Sequence, residues 1–196
     1  WWFPALHRGD CKKISKNESL YIHFESKDDI TDINRIDEYN ADYKRMYPDF
    51  KPFVTRENFA DFLKSVEDKK NGIGNNGVKE IFYFAIEDDK IVGHASIRLN
   101  PEVDGDTYKF SGHIMYGVVP SKRKLGYGNK ICKMLIEKMV AMGYDEIIIT
   151  CNDNNIGSKK IIVNNGGEFI ESVNYNANTI IDRYSISKKR WKYGEV

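Results

Sequence analysis

The chain has 196 residues, and its 30 lysines and arginines against 29 acidic residues leave a formal net charge of +1. That balance gives no reason to expect a nucleic-acid partner, and no apolar run approaches the roughly 18 residues a bilayer span needs. With 41% hydrophobic and 30% charged residues and no signal-peptide pattern, the sequence reads as one soluble cytoplasmic domain that buries about 70% of its unfolded surface.

Residues 1–18 open on Trp1-Trp2-Phe3-Pro4 and carry no periodicity. They read as an N-terminal extension or arm whose aromatic surface suits a homodimer contact. Ser19 to Phe24 (SLYIHF) reads as a strand. Ile30, Ile33, Ile36 and Tyr39/Tyr43 then recur at helical spacing behind an Asp28/Asp29 start, and a second helix runs from Thr55 with Phe59, Phe62, Leu63 and Val66 on one face. Asn71 to Gly77 is a flexible connection, and Glu80–Ile86 and Lys90–Leu99 form a hairpin across Glu87-Asp88-Asp89.

The stretch HIMYGVVPSKRKLGYG, residues 113–128, carries the most chemical information. An apolar strand runs into a basic, glycine-punctuated turn that opens onto an amphipathic helix. Such a turn leaves backbone N–H groups free at the helix start, where the helix dipole adds partial positive charge. Gly126 and Gly128 let a ligand approach the backbone, and Lys122, Arg123 and Lys124 stand beside it, so a phosphate or pyrophosphate is the natural guest. A dinucleotide fingerprint would need a glycine where Ile131 stands, and a P-loop would need a Gly-Lys-Ser or Gly-Lys-Thr ending that Gly128-Asn129-Lys130-Ile131 lacks.

Glu146 to Cys151 (EIIITC) reads as a buried strand. Asn152-Asp153-Asn154-Asn155 is an N-cap cluster for a helix running to Asn164 or Asn165, which Gly166-Gly167 closes. The last strand carries IDRYSIS, and residues 189–196 form a basic, solvated C-terminal tail. Cys11, Cys132 and Cys151 are widely spaced and read as reduced packing residues, and His7, His23, His94 and His113 show no metal-ligand spacing, so no metal is expected.

Arg123, two residues, Gly126, one residue and Gly128 match the arginine-or-glutamine loop signature of the GNAT superfamily of N-acetyltransferases. With TCNDNNIGSKKIIVNNGG and IDRYSIS, the chain resembles a group of bacterial predicted acetyltransferases within it, over roughly residues 45–188. The resemblance implies a single domain over residues 19–188 of the α/β class. Its central sheet would be mixed but mostly antiparallel, with six to seven strands, about four helices and a parallel fourth and fifth strand that splay apart. It also implies acetyl-coenzyme A as co-substrate. Its pyrophosphate would lie on Arg123, Lys124, Leu125, Gly126, Tyr127, Gly128 and Asn129. Its pantetheine arm would lie along Val118 and Val119, with Asn152, Asn155 and Ser158 near the thiol end; for Asn155 a plain N-cap is the other reading.

Acyl transfer to an amine needs a base, and His113 on the central strand has a suitable intrinsic pKa. Many members of the superfamily place a tyrosine on the second of these helices to protonate the leaving thiolate. That position is Ile162 here. Tyr184 on the last strand is the replacement expected, with Tyr116 and Tyr127 as alternatives. The activity implied is acetyl transfer to a primary amine, of a small molecule rather than a protein terminus, by direct attack in a ternary complex. Asp28, Asp29, Asp32, Asp37 and Glu38 would favour a cationic acceptor or form a solvated helix face. The alternative is a non-catalytic acyl-coenzyme A binding or regulatory module.

Overall fold

A computed structural model describes residues 22–26, 29, 32–189 and 191. The readings made for Trp1 to Phe3, Cys11, Ser19 to Tyr21, Asp28 and Ile30 lie outside the described residues. The chain runs β1 (His23–Glu25), α1 (Ile33–Met46), α2 (Phe59–Lys70), β2 (Glu80–Glu87), β3 (Lys90–Arg98), α3 (Gly105–Phe110), β4 (Ile114–Val118), α4 (Tyr127–Ala141), β5 (Glu146–Asn152), α5 (Ile156–Asn164), β6 (Glu168–Asn176) and β7 (Thr179–Ser187).

The seven strands form one sheet in the order β1-β2-β3-β4-β5-β7-β6, antiparallel except for β4 and β5. The hairpin from β2 to β3 turns on two residues, Asp88 (φ 47°) and Asp89 (φ 62°). Two left-handed residues are what a tight hairpin of this twist requires, and aspartate tolerates that region better than most residues. Antiparallel strands can join so directly. The parallel pair cannot, and α4 supplies its crossover.

Helices cover both faces. On one side Ile131, Leu135, Ile136 and Met139 of α4 and Ile162 of α5 are fully buried against Ile97, Ile114, Ile147 and Ile149. On the other, Ile36, Tyr39 and Tyr43 of α1 join Val54, Phe84 and Ile86. The strands between are therefore apolar on both sides, which is why EIIITC reads as a continuous apolar run instead of an alternation.

The differences from expectation are local. Helix α1 begins at an Asp32 cap that accepts the Asn34 N–H at 2.8 Å, after the anticipated aspartate start. Helix α2 begins at Phe59, because Thr55 and Asn58 fold into a turn in which Asn58 Oδ1 accepts the Thr55 N–H. The short α3 was not expected from the sequence, and its six residues are too few for a periodic signal. Trp191 is not part of a solvated tail: its N–H bonds to Ser187 O at 2.9 Å and its ring is buried beside the α4 core.

Candidate active site

Strands β4 and β5 meet at one ladder position, Ile114 opposite Ile149. Just before it, His113 closes the contact from both sides: its N–H donates to Ile148 O at 2.8 Å and its Nδ1 accepts the Ile148 N–H at 3.0 Å. Beyond Ile114 no ladder position joins the two strands, so they diverge toward their C-terminal ends.

The backbone groups that face the gap follow from the pairing on the other side of β4. Arg98 N–H bonds His113 O and Val119 N–H bonds Val92 O. Because antiparallel bonding alternates, odd-numbered positions of β4 face β3, and Tyr116 and Val118 turn their N–H and C=O groups toward β5. The side chains alternate too. Ile114, Tyr116 and Val118 lie on the α4 side, and Gly117 lies beneath the His94 ring on the α1 side.

Helix α4 starts at the mouth of the gap. Its cap is Gly126, at φ 91°, with no side-chain cap bond. A residue with a Cβ would be strained there, and among the described residues no side chain caps the N–H groups of the first turn. At Gly128 an added Cβ would come within 2.7 Å of the Ile161 side chain of α5, so this glycine lets the two helices close up behind the loop.

The basic residues beside this turn are not equally available. Lys122 Nζ is 3.2 Å from Glu87 Oε2 and 3.0 Å from the Tyr127 hydroxyl, which itself donates to Glu87. Lys122 and Tyr127 thus anchor the loop to the β2–β3 hairpin. Arg123 folds back, with Nε donating to Val118 O at 3.1 Å and its guanidinium over the Tyr43 and Tyr47 rings. Asp42 of α1 takes the Ser121 N–H at 3.0 Å and fixes the turn from the other side. Lys124 and Leu125 are exposed at the tip. Asn129 Oδ1 accepts from Asn165 at 3.1 Å, and Asn155 caps α5 by accepting the Ser158 N–H at 3.0 Å. Asn152 ends β5 in solvent.

One side chain in this region is orphaned. The Tyr116 hydroxyl is buried without a hydrogen-bond partner. Burial pushes its pKa well above the usual phenol range, Cys132 and Cys151 add to that, and a hydrogen-bonding contact with the Ser158 side chain, too long for a formed bond, opposes it. A buried hydroxyl left unpaired costs about 1–3 kcal/mol, so this group gains from any polar partner brought to it. Both nearby thiols are themselves inert: burial pushes Cys132 up to about 12 and also raises Cys151.

His113 and Tyr184 are not brought to the mouth of the gap. His113 lies at the opposite end of β4, ~16 Å from Val118 at about 3.3 Å per residue. Tyr184 is buried on the α4 face, packed edge-on against Phe169 at 5.7 Å. His94, set aside in the sequence as one of four histidines without ligand spacing, stands over the C-terminal half of β4. Its Nδ1 shares a 2.8 Å hydrogen bond with the Tyr39 hydroxyl, and burial lowers its pKa to about 4. Its only signal was a polar residue inside the apolar run IVGHASI. The acidic residues of α1 are mostly engaged: Asp32 caps the helix, Asp37 bonds Arg56 and Asp42 holds Ser121. Among the described residues no group of three His, Cys, Asp or Glu side chains is placed to hold a metal. No helix among them is long and apolar enough to cross a membrane.

The acetyltransferase (GNAT) family model matches residues 34–162. No match was found among curated proteins. Solved structures share the fold at low identity. An acetyltransferase from Salmonella typhimurium that modifies the N-terminal serine of ribosomal protein L7/L12 superposes with a TM-score of 0.60 at 11% identity, over 87% of this chain and 96% of that one. A spermidine N-acetyltransferase chimera from Vibrio cholerae gives 0.56 at 11%, over 89% and 98%. A Salmonella typhimurium protein assigned as an acetyltransferase and solved with acetyl-CoA gives 0.56 at 16%, over 87% and 94%.

Proposed function

The chain belongs to the acetyltransferase (GNAT) family, and from that premise we propose that it moves the acetyl group of acetyl-coenzyme A to a primary amine of a small molecule, by direct attack in a ternary complex. The observation that carries this reading is the strand gap below Ile114 with the uncapped, glycine-led start of α4 at its mouth. These residues fit the co-substrate. The open first turn at Gly126 suits a pyrophosphate, with Arg123 and Lys124 as counter-charges, and the strand edge at Tyr116 and the Val118 N–H suits the pantetheine amides, the Val118 carbonyl being held by Arg123 and Tyr43. Val119, Leu125, Tyr127, Gly128 and Asn129 shape that path, and Asn152, Asn155 and Ser158 border its inner end. Acetyl-coenzyme A supplies the activated thioester.

The chain's own groups then divide the work. A backbone N–H of β4 facing the gap donates to the carbonyl oxygen as the amine nitrogen attacks and charge gathers there. As the carbon–sulfur bond breaks, the Tyr116 hydroxyl is the acid assigned to the departing sulfur, and it regains its proton from solvent afterwards. The proton lost by the nitrogen leaves by way of water, because burial makes the His94 ring a weak base. This assignment fills the place of the absent tyrosine at Ile162, which is fully buried and aliphatic. His113 keeps β4 on β5 and Tyr184 packs against Phe169 of β6, and neither is assigned a proton transfer.

Isothermal titration with acetyl-coenzyme A and with coenzyme A, followed by thiol release on pooled primary amines, tests the reading. Micromolar binding with release on at least one pool is expected. Binding without release on any pool would favour a regulatory module, and no binding to either ligand would overturn both.

A further inference from the structure

The face of β4 opposite Tyr116 adjoins a cavity of about 460 Å³ between α2, the segment before it and strands β2 to β4. Its inner lining is Phe53, Phe62, Phe82, Met115 and His94. The rings meet mostly edge to face: Phe62 and Phe82 are 5.5 Å apart at 85°, and Phe53 and His94 are 5.5 Å apart at 62°. Phe82 and His94 are nearly parallel, but their centroids are 6.4 Å apart. Such a box presents both ring faces and ring edges to its contents, the arrangement aromatic pairs prefer.

The reacting end of the cavity is identifiable. The Nε2 and Cε1 edge of His94 lies 2.5–2.8 Å from where a Cβ on Gly117 would be, so Gly117 makes room for the ring directly on β4. Met115 and Gly117 flank Tyr116, whose N–H turns to the strand gap. An amine held at His94 is therefore beside the strand along which the thioester would lie. The lining charges are few. Glu80 is taken up by Ser96 and by Arg98 at 3.6 Å, Asp61 stands on exposed α2 surface, and Lys69 lines the same cavity.

We infer that the acceptor is a primary amine carrying one aromatic ring system, with the ring seated against the wall of Phe53, Phe62 and Phe82 and the nitrogen at His94. This rests on the acetyltransferase reading and deepens it. A linear polyamine would need carboxylates spaced along its length, whereas Asp61 is the single uncommitted carboxylate in the lining and Lys69 repels a second cationic centre. A peptide terminus would need backbone partners for its amides, and these walls are side chains. The volume lies within the range of small-molecule sites and suits one or two fused rings.

The test compares 2-phenylethylamine and tryptamine with spermidine and a serine-first tetrapeptide, in thiol release with acetyl-coenzyme A and in direct titration of the amines onto the coenzyme A complex. Ser65, exposed on α2 and lining the cavity, is replaced by Trp to fill it. We expect kcat/KM at least tenfold higher for the ring-bearing amines. Ser65→Trp should raise their KM tenfold or more, with acetyl-coenzyme A affinity and the circular dichroism spectrum unchanged. Turnover of spermidine or the peptide in preference overturns the substrate class and leaves the acetyltransferase reading intact. Ring-amine binding that Ser65→Trp abolishes, without turnover of any amine, upholds the cavity assignment and overturns the transferase reading. Ring amines that neither bind nor react overturn the inference.

Discussion

Tyr116 and His94 are where single side chains decide most. Tyr116 carries a buried hydroxyl with no hydrogen bond of normal length among the described residues. Tyr116→Phe removes the cost of an unpaired polar group along with the proposed acid. The melting temperature should therefore rise, while kcat falls about tenfold to a hundredfold and acetyl-coenzyme A affinity stays within about twofold. Differential scanning calorimetry and single-turnover thiol release check the two halves separately. Unchanged kcat would remove Tyr116 from the reaction. The proposed cofactor site turns on Gly126 in the same way. Gly126→Asp combines a residue held at φ 91° with a negative charge at the helix start, and should weaken acetyl-coenzyme A binding at least a hundredfold by titration.

Pairs of elements matter next, above all the hold of β4 on β5 and of β3 on β4. His113 contributes a ring nitrogen where the ladder has run out, so His113→Phe leaves the Ile148 N–H without its partner. The expected loss is about 1–3 kcal/mol in urea unfolding, with kcat largely retained, since the ring lies at the far end of β4 from the proposed chemistry. A large fall in kcat at unchanged stability would restore His113 as a catalytic candidate. On the other side of β4, Gly117 and His94 are complementary in shape. Gly117→Ala drives a methyl into the imidazole and should cost about 1–3 kcal/mol by displacing it. Turnover should suffer with it if the amine nitrogen sits at that ring.

Across the whole molecule, His94 and His113 set the acid limit. Burial lowers both below the ordinary histidine value, His94 to about 4. The unfolded chain therefore binds protons that the folded chain refuses once the pH falls below about 6.5. Stability should decline as pH drops from 6.5 toward 4, with His94 contributing about 3 kcal/mol and levelling off below its folded value. Chemical denaturation across that range measures the slope, and His94→Gln should flatten it. A stability independent of pH in this window would contradict the burial of both rings.

Much of this protein was legible in its sequence because the deciding interactions are local. The start of α4, the cap of α5 and the hairpin at Asp88-Asp89 each depend on a few consecutive residues and on backbone groups that must be satisfied nearby. The loop signature around Arg123 is likewise a short run of consecutive residues, and the family resemblance rests largely on it. Tertiary structure alone decided which polar side chains meet. His94 and Gly117 are 23 positions apart in sequence and become neighbours only through the β3–β4 register. The aromatic cavity is assembled from α2, the segment before it and three strands, and no periodicity within one element marks it. His113 and His94 look alike as residues on adjacent apolar strands. Which one lies at the open end of β4 is set by strand direction and register, quantities that belong to the sheet and to no single stretch of chain.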